Sequence, residues 1–235
     1  MADAGESHCW DDVIGLEDKR IYGNMRQPLR YGARPALLCI DLYNKAYAGG
    51  DKPLVEVNGD FAASCGEYAW KTIEPTKRVI AAARRGGIPV VYTTGVDFAG
   101  RKGEKLYVTN RKRTADDHHA DAYGILPVFK PEPDDLIIYK ERASGFFATP
   151  LDAYLRQMGI DSLIALGETT SCCVRSTVAD AFTLGFHVNL IEECCFDRSQ
   201  LLHKVHLFDL HHKFVDVVHV DDALAHLAGK AAKAA

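Results

Sequence analysis

Residues 162–191 read SLIALGETTSCCVRSTVADAFTLGFHVNLI, and this stretch decides the fold. A short apolar run, Ser162–Gly167, leads into a turn. A helical pattern follows over Cys173–Leu184, closed by Gly185, and a second apolar, β-branched run occupies His187–Ile191. Apolar runs of this kind read as strands buried on both faces, and a helical connection between two of them is a βαβ crossover, the unit of a parallel sheet.

The same rhythm extends in both directions. Further strands are expected at Ala36–Asp41, Ile88–Thr94, Leu136–Lys140 and Phe214–His219, which makes six. Helices are expected at Tyr68–Arg85, closed by Gly86-Gly87, and at Pro150–Met158, with Thr149 as N-cap and Gly159 as C-cap. Another starts from Ser199 and runs to about His212, and a last one begins at Asp221. Right-handed crossovers place helices on both faces, so the expected fold is α/β, a three-layer α/β/α sandwich around a six-stranded parallel sheet. Residues 1–34, without clear periodicity, are read as an N-terminal arm, and 35–235 as one domain. Residues 96–134 carry Arg101, Lys102, Lys105, Arg111, Lys112 and Arg113 before turning acidic, and read either as a solvated excursion or as a lid over the site.

Composition excludes several function classes. With 235 residues, 47% hydrophobic and 26% charged, the chain can bury a sizeable core. A net charge of −4 supplies no global positive field for nucleic acid or an anionic membrane. The longest apolar stretch near the start, Pro35 to Ile40, is far below the roughly 20 residues that span a bilayer, so a soluble cytosolic protein is expected. Seven cysteines, an odd number with Cys172-Cys173 and Cys194-Cys195 adjacent, suit reduced thiols, and none has zinc-site spacing to the histidines.

In open parallel sheets ligands bind at the carboxyl ends of the strands. Three reactive side chains fall there: Asp41 ends the first strand, Lys140 ends the third, and Cys173 follows the turn after the fourth. Each alone has an ordinary structural explanation, as a loop cap, a paired buried cation or a small core residue. Together they suit acyl transfer. A thiol of pKa about 8.5 is helped toward thiolate by a helix N-terminus and by an ammonium. Asp41 is then placed to take the thiol proton and return it to a leaving amine. Backbone N–H groups of the turn before Cys173 would receive the oxyanion. The adjacent cysteines also admit a rival from another class, a thiol-redox or binding protein, which would not need Asp41 and Lys140 at matching strand ends.

RPALLCIDL (34–42), YKERASGFFATPL (139–151) and GETTSCCVRST (167–177) resemble the isochorismatase-like cysteine hydrolases, and within them the N-carbamoylsarcosine and maleamate amidohydrolases. The resemblance covers nearly the whole chain from Tyr31. It implies that Cys173 is the nucleophile, because it immediately precedes Val174-Arg175, and that Cys172 is a bystander at a position commonly glycine. It also implies a cis peptide between Glu168 and Thr169, with the Thr169 and Cys173 amides forming the oxyanion hole. Phe196-Asp197-Arg198 looks like the segment with which relatives hold a substrate carboxylate, so Arg198 is expected to bind one; the alternative is an ion pair with Asp197. The absence of histidine from Tyr92–Phe98, unlike in nicotinamidases, implies no catalytic metal, and no cofactor is expected. The expected substrate is a small carboxylate-bearing amide that releases ammonia through a thioester, the alternative being a biuret-like or ureido compound. A homotetramer is implied by the resemblance alone.

Overall fold

A backbone group in an apolar run can be buried only if a neighbouring strand takes its hydrogen bond. In the computed structural model, which describes residues 7–24, 31–96 and 121–234, six runs meet that condition in one sheet. They are β1 (Pro35–Ile40), β2 (Val90–Gly95), β3 (Leu136–Lys140), β4 (Ser162–Glu168), β5 (His187–Phe196) and β6 (Asp216–Val218). The helices are α1 (Leu16–Gly23), α2 (Leu54–Val57), α3 (Glu67–Trp70), α4 (Ile73–Arg85), α5 (Leu151–Gln157), α6 (Arg175–Thr183), α7 (Gln200–Lys213) and α8 (Val220–Ala234). The strand order is β3-β2-β1-β4-β5-β6, and every neighbouring pair is parallel.

Successive strand residues point to opposite faces, so each strand feeds two cores. Leu38, Ile40, Val91 and Leu163 pack beneath α5, α6 and α7, against Leu151, Leu155, Val178 and Leu207. On the other face Leu37, Cys39, Tyr92 and Leu166 pack beneath α4 and α8, against Val79, Ile80, Ala223 and Leu227. The three layers expected from the sequence are present. Near the N-terminus a short turn, Cys9–Asp12, sets Trp10 into the first core against Phe208, and His8 bonds Glu192 of β5 at 2.7 Å.

The order of strands positions the site. From β1 the chain builds outward through β2 and β3, then returns to the other side of β1 for β4 and builds outward again through β5 and β6. Connections therefore diverge between β1 and β4, leaving a crevice above their carboxyl ends.

Several boundaries differ from the sequence expectation. The helix expected over Tyr68–Arg85 is broken at Thr72, whose hydroxyl bonds back to the Ala69 carbonyl at 2.8 Å. Pro75 lacks an N–H and is tolerated only in a first turn, which sets the start of α4 at Ile73. Strand β5 runs on to Phe196 instead of ending at Ile191. Its two glutamates are satisfied, Glu192 by His8 and the Cys9 N–H and Glu193 by His219 and the Val220 N–H. Strand β6 is shorter than expected because α7 continues to Lys213. Strand β1 stops at Ile40 because Asp41 turns to φ 56°. In place of a helix starting at Cys173, a π-helical turn, Thr170–Val174, precedes α6. Pro150 is the N-cap residue of α5, and the Thr149 hydroxyl accepts the Leu151 N–H at 3.3 Å. The basic stretch 101–113 lies outside the described residues.

Gly167 sits in register beside Ile40, with φ 121°, where a Cβ would run into the Ile40 carbonyl. A side chain here must force β1 and β4 apart at the mouth of the crevice. Gly167→Ala is therefore expected to cost about 3 kcal/mol or more. Chemical denaturation checks this, and a loss below about 1 kcal/mol contradicts the close approach.

Candidate active site

Asp41 directly follows β1; its side chain is 1% exposed and its Oδ1 accepts a 2.7 Å hydrogen bond from the Thr93 hydroxyl of β2. Lys140 ends β3, two strands away, a gap of about 10 Å that a lysine side chain can bridge over the end of β2. Its Nζ lies 2.8 Å from Asp41 Oδ2 and 3.4 Å from Cys173 Sγ, and donates to the Arg142 carbonyl at 3.2 Å. Burial works against the charge on Lys140, but Asp41 and Cys173 outweigh it and hold the ammonium above its ordinary range. The three residues singled out at separate strand ends thus meet around one buried cation.

Cys173 is carried by the Thr170–Val174 turn, which is pinned from several sides. The Asp197 carboxylate accepts the Ser171 N–H at 2.8 Å, and the Thr170 hydroxyl pairs with His203 Nδ1 at 2.8 Å. The Cys172 and Val174 N–H groups both bond the Thr169 carbonyl, at 2.9 and 3.2 Å. The Glu168–Thr169 peptide is cis. Arg175, next along the motif, bonds Asp209 of α7 at 2.6 Å and fixes α6 to that helix. The 139–151 motif fastens the far side: the Gly145 N–H donates to the Thr177 hydroxyl of α6 at 2.9 Å.

The expected thiolate at Cys173 is not what the environment favours. The hydrogen bond with Cys172, burial and Asp41 together push the Cys173 thiol well up, against the opposing pull of Lys140. The same sulfur–sulfur hydrogen bond brings the more exposed Cys172 down to about 7. Cys173 thus stands as a raised thiol beside the Asp41 side chain and the Lys140 ammonium. Cys172, read from the sequence as a bystander, is electrostatically part of the site. Cys194 and Cys195 are different: one faces each core, so their sulfurs are separated by the sheet.

Arg198 does not pair with Asp197 in the way the alternative reading required. Asp197 is occupied by backbone, the Ser171 N–H and its neighbour's N–H at 2.7 Å. The guanidinium turns away and donates from Nε to the Ala62 carbonyl at 3.3 Å and from Nη2 to the Ala63 carbonyl. Nη2 also lies 4.0 Å from Glu168 Oε2. Sequence reasoning missed Thr93, Asp197 and the Glu168 side chain as parts of the site. Hydroxyls within a buried strand, at Thr93-Thr94, and an acid ending an apolar run, at Glu168, were the available signals. Among the described residues, no group of three or more histidine, cysteine, aspartate or glutamate side chains is disposed to hold a metal ion. Nor is any helix among them long and apolar enough to cross a membrane.

The lowered Cys172 thiol makes a prediction. Alkylation by iodoacetamide at Cys172 should rise about tenfold between pH 6 and pH 8, as the thiolate forms through a pKa near 7. Peptide mapping of the labelled protein checks it; labelling that starts only above pH 8 contradicts the coupling.

Comparison with known proteins gives a consistent answer. The isochorismatase domain model matches residues 35–222. The maleamate amidohydrolase of Pseudomonas putida is 31% identical over 210 residues, covering 86% of this chain and 92% of its own. The N-carbamoylsarcosine amidase of an Arthrobacter species is 33% identical over 210 residues, covering 86% of this chain and 74% of its own. Among solved structures, an isochorismatase-like hydrolase from Alkaliphilus metalliredigens superposes with a TM-score of 0.66 at 25% identity, over 83% of this chain and 99% of its own. With its six-stranded parallel sheet and the crevice above β1 and β4, the chain belongs to the isochorismatase family.

Proposed function

We propose that the protein is a cysteine amidohydrolase that cleaves a linear amide or carbamoyl C–N bond of a small, carboxylate-bearing substrate and releases ammonia. The observation that carries this reading is the contact of one buried ammonium, Lys140, with both Asp41 and Cys173. The amidohydrolase names of the two relatives support the reaction class. Asp41 and Lys140 at matching strand ends, and the sheet between the second cysteine pair, weigh against the thiol-redox rival.

The charge states suit a proton-coupled attack. Cys173 Sγ adds to the amide carbonyl as its proton passes to Asp41, which avoids a bare thiolate in a buried site. The oxyanion is received by the backbone N–H groups of Thr169 and Cys173, the residues to which the family resemblance assigns this role. Asp41 then protonates the leaving nitrogen, the C–N bond breaks, and ammonia departs from a thioester. Water adds to the thioester as Asp41 takes its proton; the C–S bond breaks and the proton returns to Cys173. Lys140 stays protonated throughout and keeps Asp41 from being stranded as an uncompensated buried charge. Arg198 meets the substrate carboxylate with the part of its guanidinium that is not committed to Ala62 and Ala63. By the family resemblance the enzyme would act as a homotetramer in the cytosol.

Ammonia release across maleamate, N-carbamoylsarcosine, other N-carbamoyl amino acids, biuret and nicotinamide tests the reaction. Cys173→Ala and Asp41→Asn are each expected to lower kcat by at least about a thousandfold while circular dichroism shows the fold intact; near-native turnover by either variant removes the mechanism. Arg198→Ala is expected to raise KM at least about tenfold more for carboxylate-bearing than for neutral amides, and equal losses for both remove the carboxylate contact.

A further inference from the structure

The carboxyl group of Glu168 is not used by the mechanism above, yet it lies beside the residue assigned to the substrate. Glu168 is the last residue of β4, is 2% exposed, and immediately precedes the turn that carries Cys173. Its Oε2 receives the Cys65 thiol at 3.6 Å and stands 4.0 Å from Arg198 Nη2, and the Tyr43 hydroxyl hydrogen-bonds to it as well. Four ångströms is an ion-pair separation and not a hydrogen bond. The carboxyl group is held by a phenol and a thiol, and it influences the guanidinium through charge alone. Arg198 is held independently, by the Ala62 and Ala63 carbonyls.

This division matters because hydroxyl and thiol groups can accept as well as donate. Glu168 can gain a proton without losing either neighbour, and Arg198 keeps its own anchors in both states. The guanidinium stays in place while the net charge beside it changes by one unit. We propose that Glu168 is a positioning residue for substrate charge: as a carboxylate it offsets Arg198 and weakens binding of an anionic amide, and as a neutral acid it leaves the full guanidinium charge to the substrate carboxylate. The proposal rests on the Arg198 reading given under the proposed function.

The surroundings set the direction of the pH dependence. Asp41, Tyr43, Lys45 and Tyr47 face Glu168 from the segment after β1, Cys65 from the loop before α3, Cys172 from the nucleophile turn and Arg198 from beyond β5. Burial raises the Glu168 carboxyl above its ordinary value, Arg198 and Tyr43 pull it down, and Asp41 adds to the rise, which prevails. A raised acid is neutral at low pH and ionises at a pH above the ordinary glutamate range. Affinity for an anionic amide should therefore fall as pH rises through that ionisation, while affinity for a neutral amide of the same shape should not.

The test is titration calorimetry on the full chain carrying Cys172→Ser and Cys173→Ala, so that nothing turns over and the Cys172 thiol does not titrate beside Glu168, with maleamate and with its uncharged diamide, maleamide, in a pH series from 5 to 8.5. Glu168→Gln preserves shape and is expected to tighten maleamate about tenfold at pH 8.5. It should also abolish the pH dependence of the maleamate-to-maleamide affinity ratio. A ratio that is unchanged by Glu168→Gln, while Arg198→Ala selectively weakens maleamate, overturns the Glu168 proposal and leaves the Arg198 contact standing. A ratio that neither substitution moves, or no maleamate binding in any variant, overturns both.

Discussion

The ammonium of Lys140, 5% exposed and 2.8 Å from a carboxylate that is 1% exposed, is the interaction on which the arrangement of the site depends. Two buried charges are tolerated only as a pair, and removing either one alone typically costs about 3–5 kcal/mol because its partner is left uncompensated. The pair spans from the edge strand β3 to the central strand β1, so it couples strands that share no backbone hydrogen bonds. Thr93, on the strand between them, donates to Asp41 and aims the carboxylate. The same ammonium reaches Cys173, and so a third strand end, that of β4, is referred to one point in space.

The fold supplies that point at its switch, where the chain's outward progress reverses between β1 and β4. Such a crevice is open by construction, because the connections on either side lead away from it. What closes the geometry is polar pinning rather than apolar packing. Asp197 holds the Thr170–Val174 turn by its backbone, Arg175 holds α6 to α7, and Thr177 holds the segment after β3. A residue that looks like a substrate ligand in a motif can thus serve the frame, as Asp197 does.

Charge in the pocket is balanced locally. Around the mouth stand Asp41 with Lys140, and Glu168 with Arg198, each acid beside a cation. The cysteines are drawn into the same balance: a shared hydrogen bond moves the more accessible thiol, Cys172, toward ionisation, while the buried Cys173 thiol is held well up.

Much of this was legible in the residues. Fully apolar strand runs announced a parallel sheet, because strands covered on both faces have no polar alternation to display. Asp41, Lys140 and Cys173 stood out because reactive side chains at strand ends are few. Local chemistry also bounded α7, through Ser199. Other features were not legible, and for physical reasons. The length of β5 depended on partners for Glu192 and Glu193 that come from the first turn of the chain and from His219, far away in sequence. The direction of the Cys173 shift depended on burial and on the orientation of a neighbouring thiol, neither of which has a sequence period. The partner of Arg198 depended on which way a long side chain turned. By itself the sequence determined the layers, the sheet and the identity of the reactive groups, since these follow from local periodicity and composition. The tertiary structure alone decided which charges face one another, because electrostatic partnership is a matter of distance through space and of water excluded, and both arise only when distant segments pack.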